Sequence, residues 1–284
     1  MIKDLYSKDK TVFSFETFPP KKDDEFPQIY SVIDELADLK PDFISVTFGA
    51  GGSNSKKNLE VASYIQKKGI EALAHLTSVG LQKDALDDYC EKLSAENVHN
   101  ILALRGDRPK AMSDEQYESR SFHYANEMIE YLKETTSFCF GAACYPEKHF
   151  EAPTMHDDLL RMRGKARAGA DFFISQLFLD NDKFYYLQEQ ADLMGIDAPI
   201  SAGIMPFTSA KQLGTSITLT GTSIPKAFSD VVAKYGDSPE DMKKAGIDYA
   251  IRQIQDLLSH HVAGIHLYTM NHPERGKEIF DAVR

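Results

Sequence analysis

Eight short runs rich in Phe, Ile, Val and Thr recur along this chain, with stretches that read as helix between them. The runs are 12–18 (VFSFETF), 42–48 (DFISVTF), 70–76 (IEALAHL), 99–104 (HNILAL), 138–144 (FCFGAAC), 171–178 (DFFISQLF), 199–204 (PISAGI) and 263–268 (AGIHLY). Their length and composition suit buried strands. Helical spacing fills the gaps: Ile29, Val32, Ile33 and Leu36 in 27–39, Leu59, Ala62 and Ile65 in 58–68, and Leu86, Tyr89 and Leu93 in 84–96. Further helices are predicted over 121–134, 157–169, 182–194 and 209–218. Pro41 and Gly69 mark returns from helix to strand. The long connection 205–262 carries two more helices, near 225–235 and 239–260, the second with Ala250, Ile254, Leu257 and Leu258 on one face.

Strands that alternate with helices form a parallel sheet, and eight such units close into a barrel. The main rival is an open doubly wound sheet, whose sign would be G-x-G-x-x-G directly after the first strand. Here PPKKDD follows instead. The expected fold is therefore an α/β (β/α)8 TIM barrel with extra helices between strands 7 and 8. No linker, repeat or low-complexity tract appears, so residues 1–284 are expected to form a single domain, a usual length for such a barrel.

Charge narrows the partners. The chain has 32 basic and 43 acidic residues, a net charge of −11, which disfavours nucleic acid and anionic membrane surfaces. Phosphate ligands stay open, since a few local cations and backbone N–H groups hold them. No run of 18 apolar residues occurs, and MIKDLYSKDK lacks a signal segment. Cys90, Cys139 and Cys144 form no CxxC pair, and no HExxH occurs, so no metal is expected. A cytoplasmic protein with core thiols is the reading.

Barrels of this kind place their chemistry at the C-terminal strand ends. Those ends carry Glu16, Thr47, His75, Arg105 with Asp107, Tyr145 with Glu147 and His149, Gln176, and Tyr268. Each alone has a structural explanation, such as a core histidine or a surface ion pair; jointly they point to a site. Glu16 lies in sequence among Phe13, Phe15 and Phe18, an environment expected to favour its protonated form and so to suit a general acid. Gly51, Gly52 and Ser53 offer a close backbone approach. Arg161, Arg163, Lys165 and Arg167 put four cations on one helix of an acidic chain, either as a solvated face or as a pyrophosphate anchor.

FSFETFPP, SVTFGAGG, AHLT, LALRGDRP, YPEKH, the AGAD and SQLFLD blocks, GIMPFT and YTMN occur in this order. Together they resemble the catalytic domain of the methylenetetrahydrofolate reductases of bacterial type, over roughly residues 10 to 284. The resemblance implies an FAD-dependent reduction of 5,10-methylenetetrahydrofolate to 5-methyltetrahydrofolate, a step that feeds methionine synthesis. It implies Glu16 as general acid and Asp107 as the acid between pterin and flavin. Thr47, Phe48, His75, Arg105, Gly106, Asp107, Tyr124, Ala125, Tyr145, His149, Ala152, Asp158, Arg161 and Lys165 are expected at FAD. Glu16, Asp107, Gln176, Gln212, Tyr268 and His272 are expected at the folate.

NADH is favoured over NADPH as donor, in a ping-pong cycle, because no cation pair dedicated to a 2′-phosphate is evident. Three positions depart from the family pattern: His272 where an arginine is frequent, Ser216 near a frequent aromatic, and Gly164 in place of a cation. Ending at Arg284, the chain is expected to lack a regulatory domain and direct control by S-adenosylmethionine. Rival readings are an FAD barrel of the proline dehydrogenase type and a flavoprotein subunit fed electrons by a partner protein. A homo-oligomer is compatible with either.

Overall fold

Each apolar run becomes one parallel strand. β1 (Val12–Thr17), β2 (Phe43–Val46), β3 (Glu71–Thr77), β4 (Asn100–Leu104), β5 (Cys139–Cys144), β6 (Phe172–Ser175), β7 (Ile200–Ile204) and β8 (Gly264–Tyr268) close in sequence order into a barrel, β8 pairing back onto β1. This is a computed structural model, and it describes residues 1–7, 10–49, 55–109 and 111–284. The helices wrap the outside: α1 (Phe26–Ala37), α2 (Ser55–Lys67), α3 (Lys83–Ala95), α4 (Asp114–Glu118), α5 (Ala125–Thr135), α6 (Met155–Ala168), α7 (Asn181–Leu193), α8 (Ala210–Thr220), α9 (Lys226–Tyr235), α10 (Pro239–Ser259) and α11 (Pro273–Val283). Helices α9 and α10 are the expected extra pair in the connection from β7 to β8. Short α4 and the closing α11 went unread in the sequence.

Period-2 alternation sorts each strand into an inward and an outward set. Outward residues such as Phe15, Ile44, Val46, Ala74 and Leu267 join the large core between barrel and helices. Inward residues form layers. The lowest is an apolar plug of Val12, Phe43, Leu73, Cys139 and Phe172, capped below by Ile2. A buried polar layer of Ser14, Ser45 and His266 follows. Glu16, Thr47, His75, Gln176 and Tyr268 then face a cavity at the C-terminal mouth. Across β1 and β8 the register keeps the layers level, Ser14 pairing with His266 and Glu16 with Tyr268; across β1 and β2 it steps by one layer, Glu16 pairing with Ser45.

The same alternation corrects one expectation. Phe13 and Phe15 do not surround Glu16; they point outward and pack against Phe280 of α11, with ring centroids 5.0 and 5.9 Å away. Phe18, past the strand, does line the cavity with Glu16.

Candidate active site

The barrel mouth opens into a cleft with two lobes. The inner lobe, about 530 Å3, lies over the strand ends, with Glu16, His75, Asp107, Gln176 and Tyr268 among its walls. The outer lobe, about 450 Å3, runs between the start of α5 and one face of α6, past Tyr124, Ala125, Asp158, Arg161 and Lys165. Leu104, Arg105, Ala143, Tyr145 and His149 line both and form the neck between them.

Most of the predicted residues meet here. Thr47, Phe48, Arg105, Gly106, Tyr145 and His149 line the inner lobe beside the residues just named. Ala152, Gln212 and His272 line neither lobe. Ala152 is buried, and its carbonyl accepts from Lys148 Nζ at 2.9 Å. Gln212 Oε1 accepts from the Thr208 backbone N–H at 3.0 Å, just ahead of α8. His272 caps α11, with Nδ1 3.2 Å from Glu274 Oε1. Gly51, Gly52 and Ser53 lie outside the described residues. Of the three departures, Gly164 lines the outer lobe with open space where a side chain would stand. Ser216 on α8 reaches Met205 Sδ at 3.7 Å.

At the floor of the inner lobe, Glu16 Oε2 stands 3.5 Å from His75 Nε2 and 3.8 Å from His266 Nε2. His75 Nε2 and Thr77 Oγ1 are both buried without a hydrogen-bond partner among the described residues, and both residues line the lobe. Burial lowers the His75 imidazole to about 4; the Glu16 carboxylate pulls the other way. Tyr268 donates its hydroxyl proton to Ser175 O at 2.8 Å, and burial holds its phenol far above the ordinary range. It is therefore a neutral donor and not a base. Gln176 Oε1 accepts from Leu177 N–H at 2.9 Å, which leaves its NH2 to the cavity.

The loop after β4 shows why glycine follows Arg105. Gly106 has φ +80, and a Cβ there would lie 2.8 Å from Thr77 Cβ. Only glycine turns the chain this closely and sets Asp107 on the rim. Thr47 is positioned by buried Asn58, whose Nδ2 donates to the carbonyls of Val46 and Thr47 at 2.9 Å each.

The neck and outer lobe carry the positive charge. Arg105 makes a two-pronged ion pair with Glu151, with Nη2 to Oε1 at 3.0 Å. Arg161 and Lys165 are one helical turn apart on the face of α6 that lines the lobe. Lys165 Nζ donates to Ala143 O at 2.8 Å, and burial pushes the ammonium below its ordinary value, countered in part by Asp158. Asp158 also accepts from the His149 N–H at 3.1 Å, tying α6 to the neck. Such a cleft suits an elongated ligand with a flat polar ring inside and phosphates outside.

Glu151, Thr77, Asn58, Ser14, Ser45 and His266 were not singled out in the sequence. The strand residues among them were within reach: His266 lies two before Tyr268, Thr77 two after His75, and Ser14 two before Glu16, so alternation places them on the same inward face. Glu151 and Asn58 come from loop and helix and carry no such signal. Among the described residues no cluster of metal ligands occurs, and no helix is long and apolar enough to cross a membrane.

The family model described as methylenetetrahydrofolate reductase matches residues 1–284. A 5,10-methylenetetrahydrofolate reductase from Pectobacterium carotovorum subsp. carotovorum is 32% identical over 262 residues, covering 92% of this chain and 86% of its own. Methylenetetrahydrofolate reductase (NADH) 1 of Arabidopsis thaliana is 32% identical over 282 residues, 95% of this chain but 48% of the plant protein, so this chain spans about half that relative's length. Among solved structures, an uncharacterized Clostridium thermocellum protein that binds two copies of 5-methyl-5,6,7,8-tetrahydrofolic acid superposes with a TM-score of 0.65 at 13% identity, covering 99% of this chain and 95% of that one. At that identity the likeness speaks for the fold.

Proposed function

This chain belongs to the methylenetetrahydrofolate reductase family, and on that premise we propose that it reduces 5,10-methylenetetrahydrofolate to 5-methyltetrahydrofolate with a bound FAD and NADH. The observation that carries the cofactor is the shape and chemistry of the cleft. Its outer lobe holds Arg161 and Lys165, a pair suited to a pyrophosphate. Its inner lobe presents two unpartnered buried polar atoms, His75 Nε2 and Thr77 Oγ1, where a flavin ring offers heteroatoms. When bound there, FAD supplies hydride transfer.

The protein's own part is binding, orientation and proton placement. Glu16, at the floor of the inner lobe, protonates the ring nitrogen that leaves when the imidazolidine opens, and so yields the reactive iminium. Asp107, on the opposite rim, stabilises that cation. Gln176 offers its free NH2 to the pterin. Tyr268 stays neutral and keeps β8 tied to β6 through Ser175. One mouth serves nicotinamide and folate in turn, which implies a ping-pong cycle. The residues 1–284 act as one catalytic domain, and the cytoplasm is its expected setting.

The test is a stopped-flow pair of half-reactions. NADH should bleach the flavin anaerobically, and methylenetetrahydrofolate should restore its colour. A protein that, saturated with FAD, holds none after desalting would refute the cofactor. Flavin reduced by NADH or dithionite but not reoxidised by methylenetetrahydrofolate would refute the substrate.

A further inference from the structure

The ladder between β1 and β8 ends at Glu16, opposite Tyr268. Beyond it Phe18 is followed by Pro19 and Pro20, which carry no N–H. A residue before proline is held extended. Phe18 therefore presents one amide and one carbonyl past the end of that ladder. The side chain of Asn271, in the turn after β8, takes both. Its Oδ1 accepts from the Phe18 N–H at 2.8 Å, and its Nδ2 donates to Phe18 O at 3.0 Å. An N–H must meet an acceptor and a carbonyl must meet a donor, so this pairing also fixes which way the amide points.

The turn that carries Asn271 is strained. The His272 N–H donates to Thr269 O at 3.0 Å, and the two central residues, Met270 and Asn271, have φ of +56 and +57. Positive φ at both central positions is the pattern of a type I′ turn, which suits glycine, asparagine and aspartate but not methionine. Strain of this kind persists where the surroundings over-determine it, and it gathers at functional sites. A third contact adds to the grip: the hydroxyl of buried Thr269 donates to Glu16 O at 2.8 Å. One four-residue turn thus holds β1 at Glu16 and again at Phe18. These two are two positions apart, on the same inward face, and both side chains line the inner lobe.

We propose that Thr269 and Asn271 are positioning residues for the folate half-reaction: the strained turn after β8 is a latch that continues the pairing of β1 beyond its ladder, fixing the Glu16 carboxyl at the floor of the inner lobe and the Phe18 ring on its wall. The strain is the cost of bringing the Asn271 amide level with a backbone that two prolines leave without a strand partner on this side. A misplaced acid loses rate steeply with distance, so a device that sets its depth acts on the rate without touching the reacting atoms.

The proposal rests on Glu16 being the acid of that half-reaction, so one measurement is made without turnover. Asn271→Gly is the variant, because glycine takes the same positive φ without strain and only the amide is lost. In the oxidised holoenzyme the Phe18 amide should exchange slowly with deuterium, and in Asn271→Gly it should exchange fast while the amides within β1 stay slow. A Phe18 amide that exchanges equally fast in both proteins would overturn the latch whatever Glu16 does. The second measurement is the stopped-flow pair. Reoxidation by methylenetetrahydrofolate should slow about tenfold or more in Asn271→Gly, and flavin reduction by NADH, which takes no proton from Glu16, should slow less. In a Glu16→Gln background the same substitution should cost little further, because residues that act through one another do not add. Thr269→Val keeps the shape and loses the bond to Glu16 O; it should show the same split, and Thr269→Ser should restore the rate. Equal slowing of both half-reactions, or the full loss persisting in Glu16→Gln, would make the turn a plain part of the barrel rim and overturn the proposal. Should Thr269→Val fail to fold, Asn271→Gly decides. If Glu16→Gln alone reoxidises at the wild-type rate, the reading of Glu16 fails, and the exchange of Phe18 judges the latch.

Discussion

His75 Nε2 faces Glu16 Oε2 at 3.5 Å and meets no hydrogen-bond partner among the described residues. Burial holds that imidazole at about 4, against 6.5 for a free histidine. Between those values the unfolded chain binds the extra proton and the native one does not. Stability therefore rises with pH across that window and falls on acidification from 6.5 toward 4. At the acid end the loss approaches about 3 kcal/mol, on the order of 1.4 kcal/mol per unit. His75→Gln should flatten this slope. The check is the urea midpoint of both proteins at several pH values; parallel slopes would mean that His75 titrates normally.

Glu16→Gln keeps the shape and removes the proton. Flavin reduction by NADH consumes no proton from this group, so that half-reaction should survive. The folate half-reaction should fall by about 10²–10⁴-fold, the range of general acid catalysis. Stopped-flow traces of the two halves separate the outcomes. Equal losses in both would make Glu16 a structural carboxylate in the polar layer and not the acid.

The barrel was legible because its signal is redundant. Each strand is a buried parallel run, and a mistake of one or two residues at an end changes nothing, as at β2, read over 42–48 and found at Phe43–Val46. Helix α4 escaped because DEQYE has no apolar stripe; its real signature is the capping box of Ser113 and Gln116. Helix α11 escaped because its buried side is short, chiefly Ile279 and Phe280. The site was half legible. Strand-end position placed Glu16, His75 and Gln176 on the mouth. Sequence adjacency misplaced Phe13 and Phe15, since neighbours on a strand face opposite ways. The Arg105–Glu151 pair joins residues far apart in the chain, and nothing local encodes it.

Lys165 tests the outer lobe. Its Nζ is held at the groove wall by Ala143 O, beside Asp158 and one turn from Arg161. A charge-assisted bond to a phosphate oxygen is the contribution it can make. Lys165→Ala should weaken FAD binding by about 1–3 kcal/mol. Arg161 stands on the exposed part of the same face, so Arg161→Ala should cost less. Titration of the apoprotein by quenching of flavin fluorescence measures both. Unchanged affinity in Lys165→Ala, with an unchanged melting temperature, would remove the pyrophosphate from this lobe.

The electron donor is decided at the inner lobe. Arg105 is the one lysine or arginine among its described walls, and Glu151 already holds that guanidinium with two contacts. A 2′-phosphate thus finds no free cation on these walls, and a net charge of −11 gives it no long-range attraction. NADH should therefore bleach the flavin faster than NADPH. Glu151→Gln should narrow the gap by releasing Arg105. The rim, however, exposes Phe150 at 57% and Leu219 at 72%, apolar surface that suits either a flat ring or a docked protein. Anaerobic bleaching rates with each donor settle which. Bleaching by neither NADH nor NADPH, with fast reduction by methyltetrahydrofolate, would shift the donor to a partner protein seated on Phe150 and Leu219.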